Sequence, residues 1–170
     1  EGQIDTAEGL IQGRNILISK PFTFYFNPER LMVSNIILTG DGTSATIGGT
    51  IGLTENTPLN LDVDGQIDLK LLSAATTQFE TAGTINVNGH IRGTAQNPDL
   101  SGRAEVSKAS LSKPGFFTSL TDINGELAFE GNRVRLDNMS GLMGGGTVRM
   151  EGNLALQQAQ IQGMNIRIET

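Results

Sequence analysis

Apolar and polar residues alternate along most of this chain with a period of two, the spacing of a β-strand with one dry and one wet face. In "TVRMEGNLAL", Val148, Met150, Gly152, Leu154 and Leu156 share one face, while Thr147, Arg149, Glu151 and Asn153 share the other. Ala45, Ile47, Gly49, Ile51 and Leu53 repeat the pattern, and so do Leu59, Leu61, Val63, Gly65, Ile67 and Leu69 opposite Asn60, Asp62, Asp64 and Asp68. Further runs are Ile85, Val87, Gly89 and Ile91, then Leu100, Gly102, Ala104 and Val106, then Ile123, Gly125, Leu127 and Phe129. One-sided strands of this kind build antiparallel sheets. Pro21, Pro28, Pro58, Pro98 and Pro114 separate the runs, where turns belong. Only "DLKLLSAATTQFE" has room for a helical turn or two, from about Leu71 to Phe79, and "SKPGFF" at 112–117 reads as a loop.

Glycine makes up 22 of the 170 residues, well above its usual share of about 7%. Gly49, Gly65, Gly89, Gly102, Gly125 and Gly152 fall on the apolar face, flanked two residues away on both sides by apolar side chains. Glycine inside a strand marks a bulge, a bend or a close approach of backbones. Repeated on successive inner faces, it predicts a crease along which one sheet folds over on itself. The expected fold is therefore all-β: an elongated, largely antiparallel sheet curled into a trough with an apolar concave face. The side chains expected to line it are Leu31, Val33, Ile47, Ile51, Leu61, Val63, Ile67, Leu69, Ile85, Val87, Ile91, Leu100, Val106, Leu127, Phe129, Val134, Leu136, Val148, Met150, Leu154 and Leu156. Periodicity alone favours an ordinary sandwich or solenoid core filled by its own side chains, since apolar faces usually pack protein on protein; the family resemblance of the later blocks is what favours the trough.

The pattern also recurs over a long period. A shift of 103 residues carries Phe26 onto Phe129, Arg30 onto Arg133, Asn35 onto Asn138, Gly42 onto Gly145 and Gly49 onto Gly152, without a gap. This predicts an internal repeat, at about 24–63 and 127–166, and an elongated architecture. The chain opens mid-pattern with "EGQIDTAEGL" and closes on the strand-like "MNIRIET". Residues 1–170 are accordingly expected to be a fragment of a longer repeat-built trough.

Charge and composition narrow the function. A formal net charge of −6, with its acidic excess in the first half, lacks the basic footprint that nucleic acid requires. The absence of cysteine removes disulfides, thiolate metal sites and a cysteine nucleophile. No apolar run reaches the roughly 18 residues of a membrane-spanning helix. His90 falls on the wet face, and nothing but composition would bring it to Ser119 or Asp122 for a catalytic triad. Asp62, Asp64 and Asp68 faintly suggest a calcium loop, but without the further ligands they read as a solvated strand face. "GLMGGGTV" lacks the Lys-Ser/Thr of a phosphate loop and reads as a hairpin turn with positive φ. Phe22, Phe24 and Phe26 form a stripe that reads as strand core rather than a sugar platform. No catalytic residue, metal or cofactor is expected.

"LSGRAEVSKASL", followed by "LTDINGELAFEGNRVRLDNMSGLMGGGTVRMEGNLAL", resembles the TamB family, within the wider AsmA-like group of long bacterial envelope proteins. The upstream "DLKLLSAATTQFETAGTINVNGHIRGTAQNPDLSGRAEV" is similar to it as well, so the resemblance runs from about Asp62 to Leu156 and more loosely back to about Lys20. The resemblance implies a periplasmic, taco-like β-trough belonging to an inner-membrane-anchored protein whose anchor lies outside this fragment. It implies phospholipid acyl chains as cargo moving between the inner and outer membranes. It also implies a role in outer-membrane protein and autotransporter assembly with a TamA-type partner, met through regions outside this fragment. On this reading Val148 faces lipid and Arg149 faces water. The competing class is a chaperone-like module whose exposed sheet edge templates a nascent outer-membrane strand. A secreted β-solenoid adhesin would show long polar ladders on both faces, which this chain lacks.

Overall fold

The computed structural model describes residues 1–11, 14–74, 80–94, 97–113, 115, 119–157 and 160–170. The strands are β1 (Gly2–Ile4), β2 (Ala7–Ile11), β3 (Arg14–Ile18), β4 (Phe22–Phe26), β5 (Arg30–Gly40), β6 (Thr43–Gly52) and β7 (Leu59–Asp68). After a 3-10 turn at Leu69–Ala74 come β8 (Glu80–Gly93), β9 (Pro98–Ser112), β10 (Leu120–Gly131), β11 (Arg133–Met143), β12 (Gly146–Gln157) and β13 (Gln160–Glu169). All thirteen belong to one antiparallel sheet that does not close into a barrel. From β4 onward each strand pairs with the next, so the chain meanders across the sheet. At the N-terminal edge β3 and β4 lie end to end along β5, with β2 and β1 outside them.

Turn chemistry follows the residues. The Asn27 side-chain oxygen accepts the Glu29 and Arg30 N–H groups at 2.9 and 2.8 Å, closing the β4–β5 turn. Gly144 and Gly145 both take positive φ between β11 and β12, as a two-residue hairpin turn requires. Pro114 and part of the 112–117 segment lie outside the described residues.

Strict alternation breaks in a consistent way. Register shifts interrupt the β5–β6, β8–β9, β9–β10, β10–β11 and β11–β12 ladders. At these bulges Lys108, Asp122 and Asn138 adopt φ near +50°. From Val106, a period of two would turn Lys108 inward; instead Lys108 is exposed and Ala109 is buried. Asn138 is likewise exposed while Met139 is buried after Leu136, and Asn35 is exposed while Ile36 turns inward after Val33. Each bulge thus sits at a polar residue that regular pleating would bury, and re-aims an apolar neighbour in its place. Asn124 ties two of them together: its side-chain oxygen accepts the Lys108 N–H at 2.9 Å, and its amide donates to the Asp122 carbonyl at 2.8 Å. Bulges bend strands and increase twist, so this series curls the sheet.

A shift of 103 residues carries the bounds of β5, Arg30–Gly40, onto those of β11, Arg133–Met143. It also carries the bulge between Val33 and Ile36 onto the bulge between Leu136 and Met139. The correspondence ends after β12. Gly49 faces Leu61, whose counterpart would be Met164, but Gly152 faces Ile166. The β12–β13 ladder has its own register shift after Ala155, which slides the pairing by one residue, and the pairing nearest the turn is already offset by one.

Two expectations change. The helical turn lies at Leu69–Ala74, earlier than the expected Leu71–Phe79, whose residues 75–79 are outside the described set. Leu69 therefore opens that turn instead of ending a strand. Asp68, expected on a solvated face, is only 7% exposed. It stands where the chain leaves β7, donating its N–H to Thr43 Oγ1 at 3.1 Å and accepting the Lys70 N–H on Oδ1 at 2.8 Å. That second bond caps the turn. Asp68→Ala is expected to lower stability by about 1 kcal/mol, the usual loss of a cap. Urea unfolding checks it, and an unchanged midpoint would remove the capping role.

The apolar trough as candidate functional site

Cross-strand pairing builds the site. One ladder runs without a break from Ala7 through Ile18, Leu38, Ala45, Gly65, Val87, Ala104, Leu127, Leu136 and Gly152 to Ile166. It crosses the whole sheet and contains no polar side chain. A second ladder beside it runs Ile36, Ile47, Val63, Gly89, Gly102, Phe129, Val134, Leu154 and Met164. The row between them, on the other face, is mostly polar: Thr46, Asp64, Asn88, Arg103, Ala128, Arg135, Asn153 and Asn165.

The apolar face is unevenly filled. Toward one set of strand ends, Val106, Ala109, Ile123, Leu136, Met139 and Met150 form a buried cluster, with Leu69 of the 3-10 turn and Leu120 packed against it. Toward the other, Leu61, Val63, Ile91, Leu100 and Phe129 are only half-buried. Here lies a cavity of about 250 Å³ walled by Val63, Ile67, Ile85, Val87, Gly89, Ile91, Leu100 and Phe129, with His90 and Ser101 also at its wall. A larger hollow of about 530 Å³ sits among turns and strand ends at Asn97, Asp99, Asn132 and Gln162. The smaller one is the better candidate for an apolar ligand, because its side-chain wall is almost wholly hydrocarbon.

The expected lining residues divide between these zones. Leu31, Ile47, Ile51, Leu61, Val63, Ile67, Ile85, Val87, Ile91, Leu100, Leu127, Phe129, Leu154 and Leu156 are half-buried on the apolar side. Val33, Val106, Val134, Leu136, Met150 and Val148 are buried, and Val148, at 2% exposure, is the most enclosed of them. Ile36, Leu38 and Met139 join the same face but escape a strict period-two reading, because bulges reverse the phase just before them. Met164, Ile166 and Ile168 extend it on β13, where Met164 is 70% exposed; their alternation in "MNIRIET" was the available signal.

Glycines let the strands close up along this face. Gly49 has φ +121°, and a Cβ there would collide with the Asn60 carbonyl oxygen of β7. Gly65, Gly102, Gly125 and Gly152 share a φ in that region and a comparable collision with the neighbouring strand. These positions combine a backbone conformation suited to glycine with contact too close for any side chain.

The opposite face carries exposed polar pairs. His90 bonds Asp62, and Asn88 donates to Asp64 at 2.6 Å. Arg135 Nε donates to both Asp137 oxygens at 2.9 and 3.0 Å, and its Nη1 lies 3.1 Å from Glu130 Oε1. Asp137, by hydrogen bond and charge, and then Glu130 hold the Arg135 guanidinium above its ordinary pKa. Exposed pairs like these contribute little to stability. The triad arrangement does not form: His90 is turned to Asp62, and Asp122 is bonded by Asn124. Phe22 and Phe24 turn inward, while Phe26 is exposed. Among the described residues no three acidic or histidine side chains are placed to hold a metal ion, and no helix is long and apolar enough to cross a membrane.

A family model for the TamB C-terminal domain matches residues 34–159, from within β5 past the end of β12. The chain belongs to the TamB family. This is an envelope-associated family involved in outer-membrane assembly and lipid transport, consistent in general with a TamA-type partnership, and not known as enzymatic. No curated protein and no solved structure matches the chain.

Because Gly102 combines φ +133° with a carbonyl oxygen where its Cβ would stand, Gly102→Ala is expected to cost about 1–3 kcal/mol of stability. Urea denaturation measures this, and a wild-type midpoint would show that β9 has room to relax.

Proposed function

We propose that the trough carries or shields lipid acyl chains, passing phospholipid between the inner and outer membranes, without catalysis, as a periplasmic segment of an inner-membrane-anchored TamB protein. The observation that carries this reading is the apolar ladder spanning the sheet, beside an open cavity walled by hydrocarbon. A 16-carbon chain exposed to water costs on the order of 12 kcal/mol, at about 0.8 kcal/mol per buried CH₂. A continuous apolar wall removes most of that barrier, and its lack of polar anchoring points lets a chain slide. The coincident bounds and bulges of β5 and β11 support reading them as copies of one unit, so that the trough lengthens by repetition. A TamA-type outer-membrane partner would be met through regions outside residues 1–170.

The test is photo-crosslinking in living cells, with a photoreactive residue at Leu100 of the full-length protein. Arg103, on the polar face, and the enclosed Val148 serve as controls. Lipid adducts are expected at Leu100 and at neither control; protein adducts alone at Leu100 would replace the conduit by a filled core.

One observation favours a second reading, capture of nascent outer-membrane strands. Within residues 1–170, β13 is the outermost strand on its side of the sheet, with Met164 and Ile168 at 70% and 52% exposure, and an outermost strand can pair with an added one. Proline is placed in turn at Asn165 and Ile166, which aim their N–H groups to opposite sides. The substitution that removes the outward N–H is expected to abolish binding of an alternating apolar-polar peptide and leave lipid loading intact. Undiminished peptide binding by both variants would end this reading.

A further inference from the structure

Among the glycines on the apolar face, Gly89 differs from the rest. Gly49, Gly65, Gly102, Gly125 and Gly152 all have φ between +121° and +152° and would place a Cβ hard against a neighbouring strand or side chain. Gly89 has no such φ. An added Cβ there presses on the Ser101 carbonyl oxygen at 3.0 Å, and its next neighbours are backbone carbons at 3.9 Å. The Ser101 carbonyl would have to give by a few tenths of an ångström to admit a methyl group, a milder demand than at the other five glycines, and a strand interior is weakened by glycine. What lies inward of Gly89 is the 250 Å³ apolar cavity, whose wall it forms together with Val63, Ile91 and Phe129. Gly89 pairs across the strands with Val63 on one side and Gly102 on the other, so two adjacent positions of the apolar face carry no side chain.

We infer that Gly89 is a specificity-determining residue: its missing side chain sets the depth of the cavity so that one unbranched acyl chain fits. This inference rests on the lipid-conduit reading and deepens it. Besides His90, whose side chain is turned to Asp62 on the opposite face, and Ser101, which pairs with it, the remaining wall residues are aliphatic or aromatic. The space is smaller than the roughly 300–1,000 Å³ of pockets that hold drug-sized ligands, and suits one chain segment rather than two side by side. A methyl group at 89 would enter the space the chain occupies, and an isopropyl group would fill much of it.

The test compares wild type with Gly89→Ala and Gly89→Val, using a fluorescent 16-carbon fatty acid as probe and mass spectrometry of co-purifying lipid as a second readout. Asn88→Ala, on the polar face, is the control. Urea unfolding is run on every variant. The wild type and the control are expected to bind the probe. Gly89→Ala is expected to lose about tenfold in affinity and Gly89→Val more, the scale of one to a few methylenes in an apolar pocket, with unfolding midpoints close to wild type. Wild-type affinity in folded Gly89 variants would overturn the inference and leave the conduit standing. If the wild type itself binds no probe and carries no lipid, the conduit reading falls and this inference with it. Should Gly89→Val fail to fold, Gly89→Ala decides alone.

Discussion

The rest of the structure depends on keeping one face of a single sheet apolar across every strand. A sandwich hides its dry faces against each other. Here the substantial contacts of each strand are with its sheet neighbours, and of the 3-10 turn with β7 and β8. The ladder from Ala7 to Ile166 therefore has to be complete in itself, and a single inward charge would interrupt it. Curling the sheet partly shelters that face, and glycines with crowded backbones permit the curl.

The bulges show how strongly the constraint acts. Holding a non-glycine residue such as Lys108 near φ +50° costs roughly 1–2 kcal/mol. Leaving its ammonium unpaired in the apolar cluster would cost several kcal/mol even after relaxation. The strained bulge is the smaller cost, and it also delivers Ala109 to the cluster. Asn138 and Asp122 solve the same problem with residues that tolerate left-handed geometry better. Local irregularity thus preserves long-range regularity, since the ladders stay apolar because individual strands do not stay strictly periodic.

This arrangement links fold to function within the TamB family. Where bulges gather, the face closes into a packed cluster sealed by Leu69 of the capped turn. Where pleating stays regular, around Val63, Ile91 and Leu100, the face remains open and hollow. One sheet thereby supplies both its own core and a lipid-compatible surface. The division runs along the strands, with the packed cluster on β9 to β12 and the hollow on β7 to β10.

The sequence by itself determined the strands, their antiparallel one-sided character and the apolar face, because side chains alternate about an extended backbone whatever surrounds it. It also placed the crease glycines on that face, and resemblance in the later blocks pointed to the right family. Tertiary structure decided three further matters. It reversed the phase after Asn35 and Asn138, because a bulge follows from the cost of burying a polar group, which emerges only once strands pair. It drew Asp68 inward beneath the β5–β6 turn, a contact between segments distant in sequence. And it enclosed Val148 while leaving Leu100 open, because periodicity tells which way a side chain points, whereas burial depends on how the sheet curls above it.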